Sequence, residues 1–123
     1  MYGITNCDTV KKARAHLSGH GVAFDFHDYK KLGMPSGALA QWMAALGWEA
    51  LLNRKGNTWR RLDEAQRAAV TDAASALGLM LQEPSVIKRP VVEWGAKTVT
   101  VGFDSGLFTG ALRDFTGSAR PAD

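Results

Sequence analysis

Val22, Phe24 and Phe26 alternate with Ala23, Asp25 and His27, the period of two that sends successive side chains to opposite faces of a strand. Upstream, Val10, Ala13 and Leu17 recur at helical spacing between Asp8 and Ser18, while Lys11, Lys12 and Arg14 fall away from that face and Gly19 or Gly21 is placed to end the run. Met1 to Ile4 is a very short apolar start. The chain therefore opens strand, helix, strand, and a connection of this length predicts parallel strands joined by a right-handed crossover.

The middle of the chain is helical. After the turn-rich Lys31-Leu32-Gly33-Met34-Pro35, Ser36 is placed to cap a helix whose Leu39, Trp42, Met43 and Leu46 keep the i, i+3, i+4, i+7 spacing up to Gly47. A short turn at Trp48 to Leu52 and a helix from Asp63 to Val70 follow, then Thr71 as the cap of a helix burying Ala73, Leu77, Met80 and Leu81 before Pro84. Val91 to Trp94 and Thr98 to Val101 are β-rich and flank Gly95-Ala96-Lys97, which predicts an antiparallel hairpin. Leu107 to Phe115 reads as a last helix, and residues 117–123 as a flexible tail. Because βαβ and ββα halves around one sheet form the thioredoxin topology, the expected fold is α/β and thioredoxin-like. It has a mixed sheet of about four strands, and one domain over 1–116 with a helical insertion at about 36–83.

Composition agrees with one domain. A chain of 123 residues with 46% hydrophobic content can bury a core without staples, and its single cysteine excludes an intramolecular disulfide. No apolar run approaches the ~20 residues of a membrane span and no signal-peptide pattern follows Met1, so a cytoplasmic protein is expected. The net charge of +3 is too small for a dedicated nucleic-acid binder. Its distribution is more telling, since nine of the fifteen cations fall in three stretches: Lys11, Lys12 and Arg14; Arg54, Lys55, Arg60 and Arg61; Lys88 and Arg89.

Cys7 lies between the first strand and the first helix, where the unpaired N–H groups of the first turn favour a thiolate. Helix N-termini and nearby cations lower a cysteine pKa from ~8.5 to roughly 3.5–7.5, which makes the sulfur a nucleophile at neutral pH. A small buried core residue is the alternative for any lone cysteine. An anion beside Cys7 would need basic partners. Arg89 precedes Pro90 at the entry to a strand, and that X-Pro bond is a candidate for cis geometry in a turn that faces the cysteine in a thioredoxin-like fold.

Val10 stands where a Cys-x-x-Cys motif would place its resolving thiol, so any disulfide at Cys7 involves an external thiol. Ala13 occupies the arginine position of a Cys-x5-Arg phosphate loop, which argues against a low-molecular-weight phosphatase. His16 and His20 share a helix face but lack a third metal ligand, and no metal site is expected. The run from Asn53 to Arg61 mixes four cations with Trp59, as single-stranded nucleic-acid sites do. An exposed loop beside an anion site explains it as well, and no nucleic-acid partner is expected.

Residues 2–13, His27-Asp28-Tyr29-Lys30-Lys31, Leu51-Leu52-Asn53-Arg54 and Ile87-Lys88-Arg89-Pro90-Val91-Val92 together resemble the arsenate reductase (ArsC)/Spx family, and within it the YffB-like branch. The resemblance runs in colinear order to about Phe103. It implies a thioredoxin-like fold with a helical insertion, and a catalytic Cys7. Arg54 and Arg89 would be the anion-binding arginines; from the residues themselves, Lys11 or Lys12 is expected to add to the field without direct contact. The implied activity is that of a thiol oxidoreductase that binds no resident cofactor and takes glutathione as co-substrate, with glutaredoxin as a possible partner. A third arginine of the arsenate reductases follows the last hairpin, where Val101-Gly102-Phe103-Asp104 offers no cation, and this departure argues against arsenate as the substrate. The first strand is also two or three residues shorter than the family's usual one. Spx proteins of the same family bind RNA polymerase, often with a Cys-x-x-Cys switch that Val10 removes, and such a regulator is the alternative function.

Overall fold

Alternation and helical spacing position most of the elements, as seen in a computed structural model that describes residues 1–95 and 98–119. In chain order these are β1 (Tyr2–Gly3), α1 (Asp8–Gly19), β2 (His27–Asp28), α2 (Tyr29–Leu32), α3 (Ser36–Leu46), α4 (Trp48–Leu51), α5 (Asn57–Arg61), α6 (Glu64–Ala68), α7 (Ala73–Gln82), β3 (Val91–Trp94), β4 (Thr98–Val101) and α8 (Ser105–Ala119). The chain divides into two compact units: Met1–His27 with the chain from Arg89 onward, and Asp28–Lys88.

The first unit holds the sheet, a mixed one with strand order β2-β1-β3-β4. β3 pairs antiparallel with β1 at Tyr2↔Val91 and with β4 from Val91↔Val101 to Trp94↔Thr98. The Met1 amino group donates to Asp25 O at 2.8 Å and Met1 O accepts from His27 N at 2.8 Å, the hydrogen-bond pattern of a parallel pair, as the strand-helix-strand opening requires. Val10, Ala13 and Leu17 of α1 are buried against Val92, Trp94, Phe108 and Ala111, so one face of the helix and one face of the sheet share a core. Phe108 is its pivot, edge-on to Trp94 at 5.1 Å and to Phe103 at 4.9 Å between ring centroids. The Trp94 indole N–H donates to the Thr100 hydroxyl at 2.9 Å across the hairpin, which satisfies two buried polar groups at once.

Of the strand expected over Val22 to His27, only His27 is in a strand, β2. The alternation itself holds, with Val22, Phe24 and Phe26 half-buried and Ala23 and Asp25 exposed. A ladder, however, needs a neighbour, and β1 makes its bonds to this segment from Met1, at Asp25 and His27. Residues 22–24 extend past the end of that neighbour.

The second unit is helical around Tyr29, Leu39, Trp42, Leu51, Ala76, Met80, Val86 and Ile87, all buried. Leu52 bridges Ile87 antiparallel, and Asn53 N and Lys88 N donate to Val86 O and Leu51 O at 2.7 Å, tying the two ends of the unit's later half together. Several expectations need correction here. Ser36 is the first residue of α3 rather than its cap, and Pro35 takes the cap position with no side chain to offer. Asp72, not Thr71, caps α7, accepting from Ser75 N at 2.9 Å while the Ser75 hydroxyl returns to the Asp72 N–H. The buried face of α7 is Ala76 and Met80, with Ala73 and Leu81 exposed.

Two helices lie where no helix was expected. α2 begins at Tyr29, its first-turn N–H groups at Lys30 and Lys31 satisfied by the Asp28 carboxylate, and α5 runs through the basic stretch at Asn57–Arg61. Asp63 forms a capping box with Gln66 at the start of α6. The predicted hairpin is present, although Ala96 and Lys97 of its turn lie outside the described residues. The last helix extends to Ala119, so residues 117–119 of the expected tail are helical, and 120–123 lie outside the described residues.

Candidate active site

β1 ends at Gly3, and the chain passes through Ile4, Thr5 and Asn6 to Cys7, which stands in extended conformation immediately before α1. Its carbonyl accepts the first helical bond, from Lys11 N at 2.9 Å. Gly3 is required by a close approach: a Cβ built there would stand 2.9 Å from Val10 Cγ2. The strand thus lies directly on the first turn of the helix, which sets where the sulfur sits.

Arg89 reaches the same place from the other end of the first unit. Because β1 and β3 run antiparallel with Tyr2 opposite Val91, the residues just before β3 are level with those just after β1. Pro90 is buried, Arg89 is half-buried, and the bond between them is cis. Burial acts to raise the Cys7 pKa. The backbone N–H of Val10, the hydrogen bond and charge of the Arg89 guanidinium, and the N–H of Thr9 outweigh it, so the thiol pKa lies below that of an ordinary cysteine. The thiol is half-buried and free.

The structure therefore brings the Arg89 guanidinium to Cys7, with Pro90 next to Arg89 in the chain. Lys11 is exposed on α1, its backbone rather than its side chain serving the first turn. Arg54 belongs to the second unit, where its guanidinium lies over the Trp48 ring at 5.7 Å. Arg14 lies over Phe26 at 4.5 Å. His16 and His20 stack on each other at 4.4 Å, and among the described residues no group of three His, Cys, Asp or Glu side chains is disposed to hold a metal ion. Among the described residues, no helix is long and apolar enough to cross a membrane.

Val10 was read as the opening residue of the apolar helix face and as the residue that replaces a resolving thiol, and its side chain is fully buried in the core. A further role was missed: its N–H lowers the pKa of the Cys7 thiol. No side-chain pattern signals that role. It belongs to any residue that far inside a helix N-terminus.

The site is thus a half-buried thiol at a helix start, beside an arginine that precedes a cis-proline. The ArsC family model matches residues 2–109. The chain belongs to the ArsC family. An uncharacterized protein of Haemophilus influenzae is 37% identical to this ArsC-family chain over 112 residues, covering 91% of the chain and 96% of that protein. Among solved structures, the YffB (PA3664) protein is 52% identical with a TM-score of 0.85, over 90% of this chain and 96% of that one. The solution structure of an arsenate reductase (ArsC) related protein from Brucella melitensis is 47% identical with a TM-score of 0.70, over 91% of this chain and 92% of that one. The fold is accordingly the thioredoxin-like fold of this family.

Proposed function

We propose that the protein is a glutathione-dependent thiol oxidoreductase in which Cys7 is the nucleophile. The observation that carries this reading is the convergence of Val10 N–H, Thr9 N–H and the Arg89 guanidinium on one thiol, which favours its ionised form. In the first step the Cys7 thiolate attacks the glutathionyl sulfur of a mixed disulfide, RSSG. The old S–S bond breaks, RS⁻ leaves and takes up a proton, and Cys7 is left joined to glutathione. With no second protein thiol available, a glutathione thiolate attacks that disulfide, releasing oxidised glutathione and returning Cys7 as thiolate. Two electrons pass from glutathione to the substrate disulfide and the protein ends unchanged.

In this reading Arg89 holds a substrate carboxylate by charge-assisted hydrogen bonds while it stabilises the thiolate. The family resemblance adds Arg54 as a second anion-binding group, and Lys11 or Lys12 contributes to the field. The absence of a cation in Val101-Gly102-Phe103-Asp104 favours a glutathione-bearing substrate over arsenate. Intact-mass analysis tests the first step. Incubation with oxidised glutathione at neutral pH is expected to yield a single glutathione adduct that reduced glutathione removes and that Cys7→Ser abolishes. The reading is sunk if the native protein forms no adduct under conditions in which the urea-unfolded chain does.

A further inference from the structure

Arg54 is exposed on the second unit, yet the backbone around it is tied down. Asn53 N donates to Val86 O at 2.7 Å, and the Asn53 side-chain Oδ1 accepts from Lys55 N at 3.2 Å, so the residues on both sides of Arg54 are held. Those bonds fix where the side chain starts and leave its head free to move. What the head meets is an aromatic ring: the guanidinium carbon lies over Trp48 at 5.7 Å from the ring centroid. Among the described residues no carboxylate or carbonyl takes the Arg54 N–H groups.

Trp48 opens α4, and the helix is anchored beneath it by Leu51 and Leu52, both buried. Trp48 itself is only half-buried, whereas Trp42 of the same unit is fully enclosed in the core. Part of the Trp48 side chain thus stays at the surface, where the Arg54 guanidinium lies over the ring.

We propose that Trp48 is a positioning residue for anion binding: its ring holds the Arg54 guanidinium in place and leaves the N–H groups for a carboxylate of glutathione. The inference rests on the reading of Arg54 as an anion-binding group of a glutathione-dependent enzyme. Its physical basis is the kind of partner chosen. An arginine free in water must be ordered when a ligand binds, and that cost lowers affinity. A carboxylate partner would order the side chain beforehand but would compete with the ligand for the same donors. An aromatic ring attracts the cation through its face and accepts no N–H from the plane of the guanidinium, so the planar fork remains available for bidentate bonds. Tryptophan is the strongest such ring, and the weakly hydrated guanidinium suits it better than an ammonium would.

The test measures binding of S-methylglutathione, whose blocked sulfur forms no disulfide, by NMR titration of the full chain. Trp48→Leu keeps an apolar cover and removes the ring; it is expected to weaken binding by about 2–5-fold, the range of an exposed cation–π contact. Trp48→Phe is expected to lose less, because a ring remains. In Arg54→Gln, which itself weakens binding, adding Trp48→Leu is expected to have no further effect, since the two residues act as one. Trp48→Met replaces the leucine variant in the same cycle if the latter folds poorly. Wild-type affinity in the variant that lacks the ring, or a loss of the same size with and without Arg54, overturns the inference and leaves the proposed function standing. A wild-type protein that binds no S-methylglutathione, or an Arg54→Gln variant that binds it as wild type does, overturns the inference together with the part of the reading on which it rests.

Discussion

Replacing Arg89 by glutamine removes both a hydrogen bond and a charge from the Cys7 sulfur, leaving burial opposed by the N–H groups of Val10 and Thr9 alone. The thiol pKa is expected to rise. Iodoacetamide alkylation of Arg89→Gln is therefore expected to be slower than that of wild type at neutral pH and to reach the wild-type rate only at higher pH. Identical pH profiles would remove Arg89 from the activation of the thiol. The same shift has a consequence for stability. A thiol whose pKa is lower in the folded than in the unfolded chain stabilises the fold above the unfolded value, and that contribution is lost as pH falls through the folded value. The stability difference between wild type and Cys7→Ser is thus expected to grow in favour of wild type as pH rises from acidic values toward 9. At this scale the sequence was informative because each residue carried a positional meaning: a cysteine before a helical period, an arginine before a proline, a valine where a second cysteine would stand. The joint role of the Val10 side chain and N–H was less visible, because a backbone donor leaves no trace in residue identity.

The contact that seats β1 on α1 is made by the absence of a side chain. Gly3→Ala introduces a Cβ 2.9 Å from Val10 Cγ2, inside the distance real Cβ atoms keep, and Val10 is fully buried with no room to yield. A loss of about 1–3 kcal/mol is expected, the usual cost of overpacking, measured by urea unfolding. Larger-to-smaller repacking by Val10→Ala in the same chain is expected to recover part of it. Elements with a long apolar period, α1, α3 and the β3-β4 hairpin, were legible in the sequence because burial of one face dictates them. The short helices α2 and α5 were not. Four or five residues carry no period, and α5 has no buried residue at all, so it forms in place of the loop that its basic composition suggested. The segment 22–26 shows a different limit: its side-chain faces were readable, whereas its hydrogen bonds depend on where the neighbouring strand ends. Caps were misplaced by one residue where two candidates adjoin, as at Thr71 and Asp72, since only the geometry selects which side chain turns back.

At the scale of the molecule, the first unit depends on a few aromatic residues. Phe108 is fully buried and lies edge-on to Trp94, Phe103 and His16, joining α8 to the hairpin and to α1. Phe108→Ala is expected to cost about 3–5 kcal/mol, read from the urea midpoint. A cost below about 1 kcal/mol, on the scale of surface substitutions, would show that the cluster does not anchor the unit. The fold class was legible from the order of elements alone, since strand-helix-strand and hairpin-helix halves have few ways to share one sheet. The division into two units is less apparent, because its boundaries at His27 and Arg89 fall beside strands with no linker composition to mark them. One of these units is continuous in sequence and the other is assembled from both ends of the chain. Cys7 and Arg89 are 89 − 7 = 82 residues apart, and at the ~5–20 residues per second of protein synthesis the thiol leaves the ribosome on the order of 4–16 s before its guanidinium partner. The nascent chain therefore carries Cys7 without its guanidinium partner, and the two meet only after Arg89 has been made.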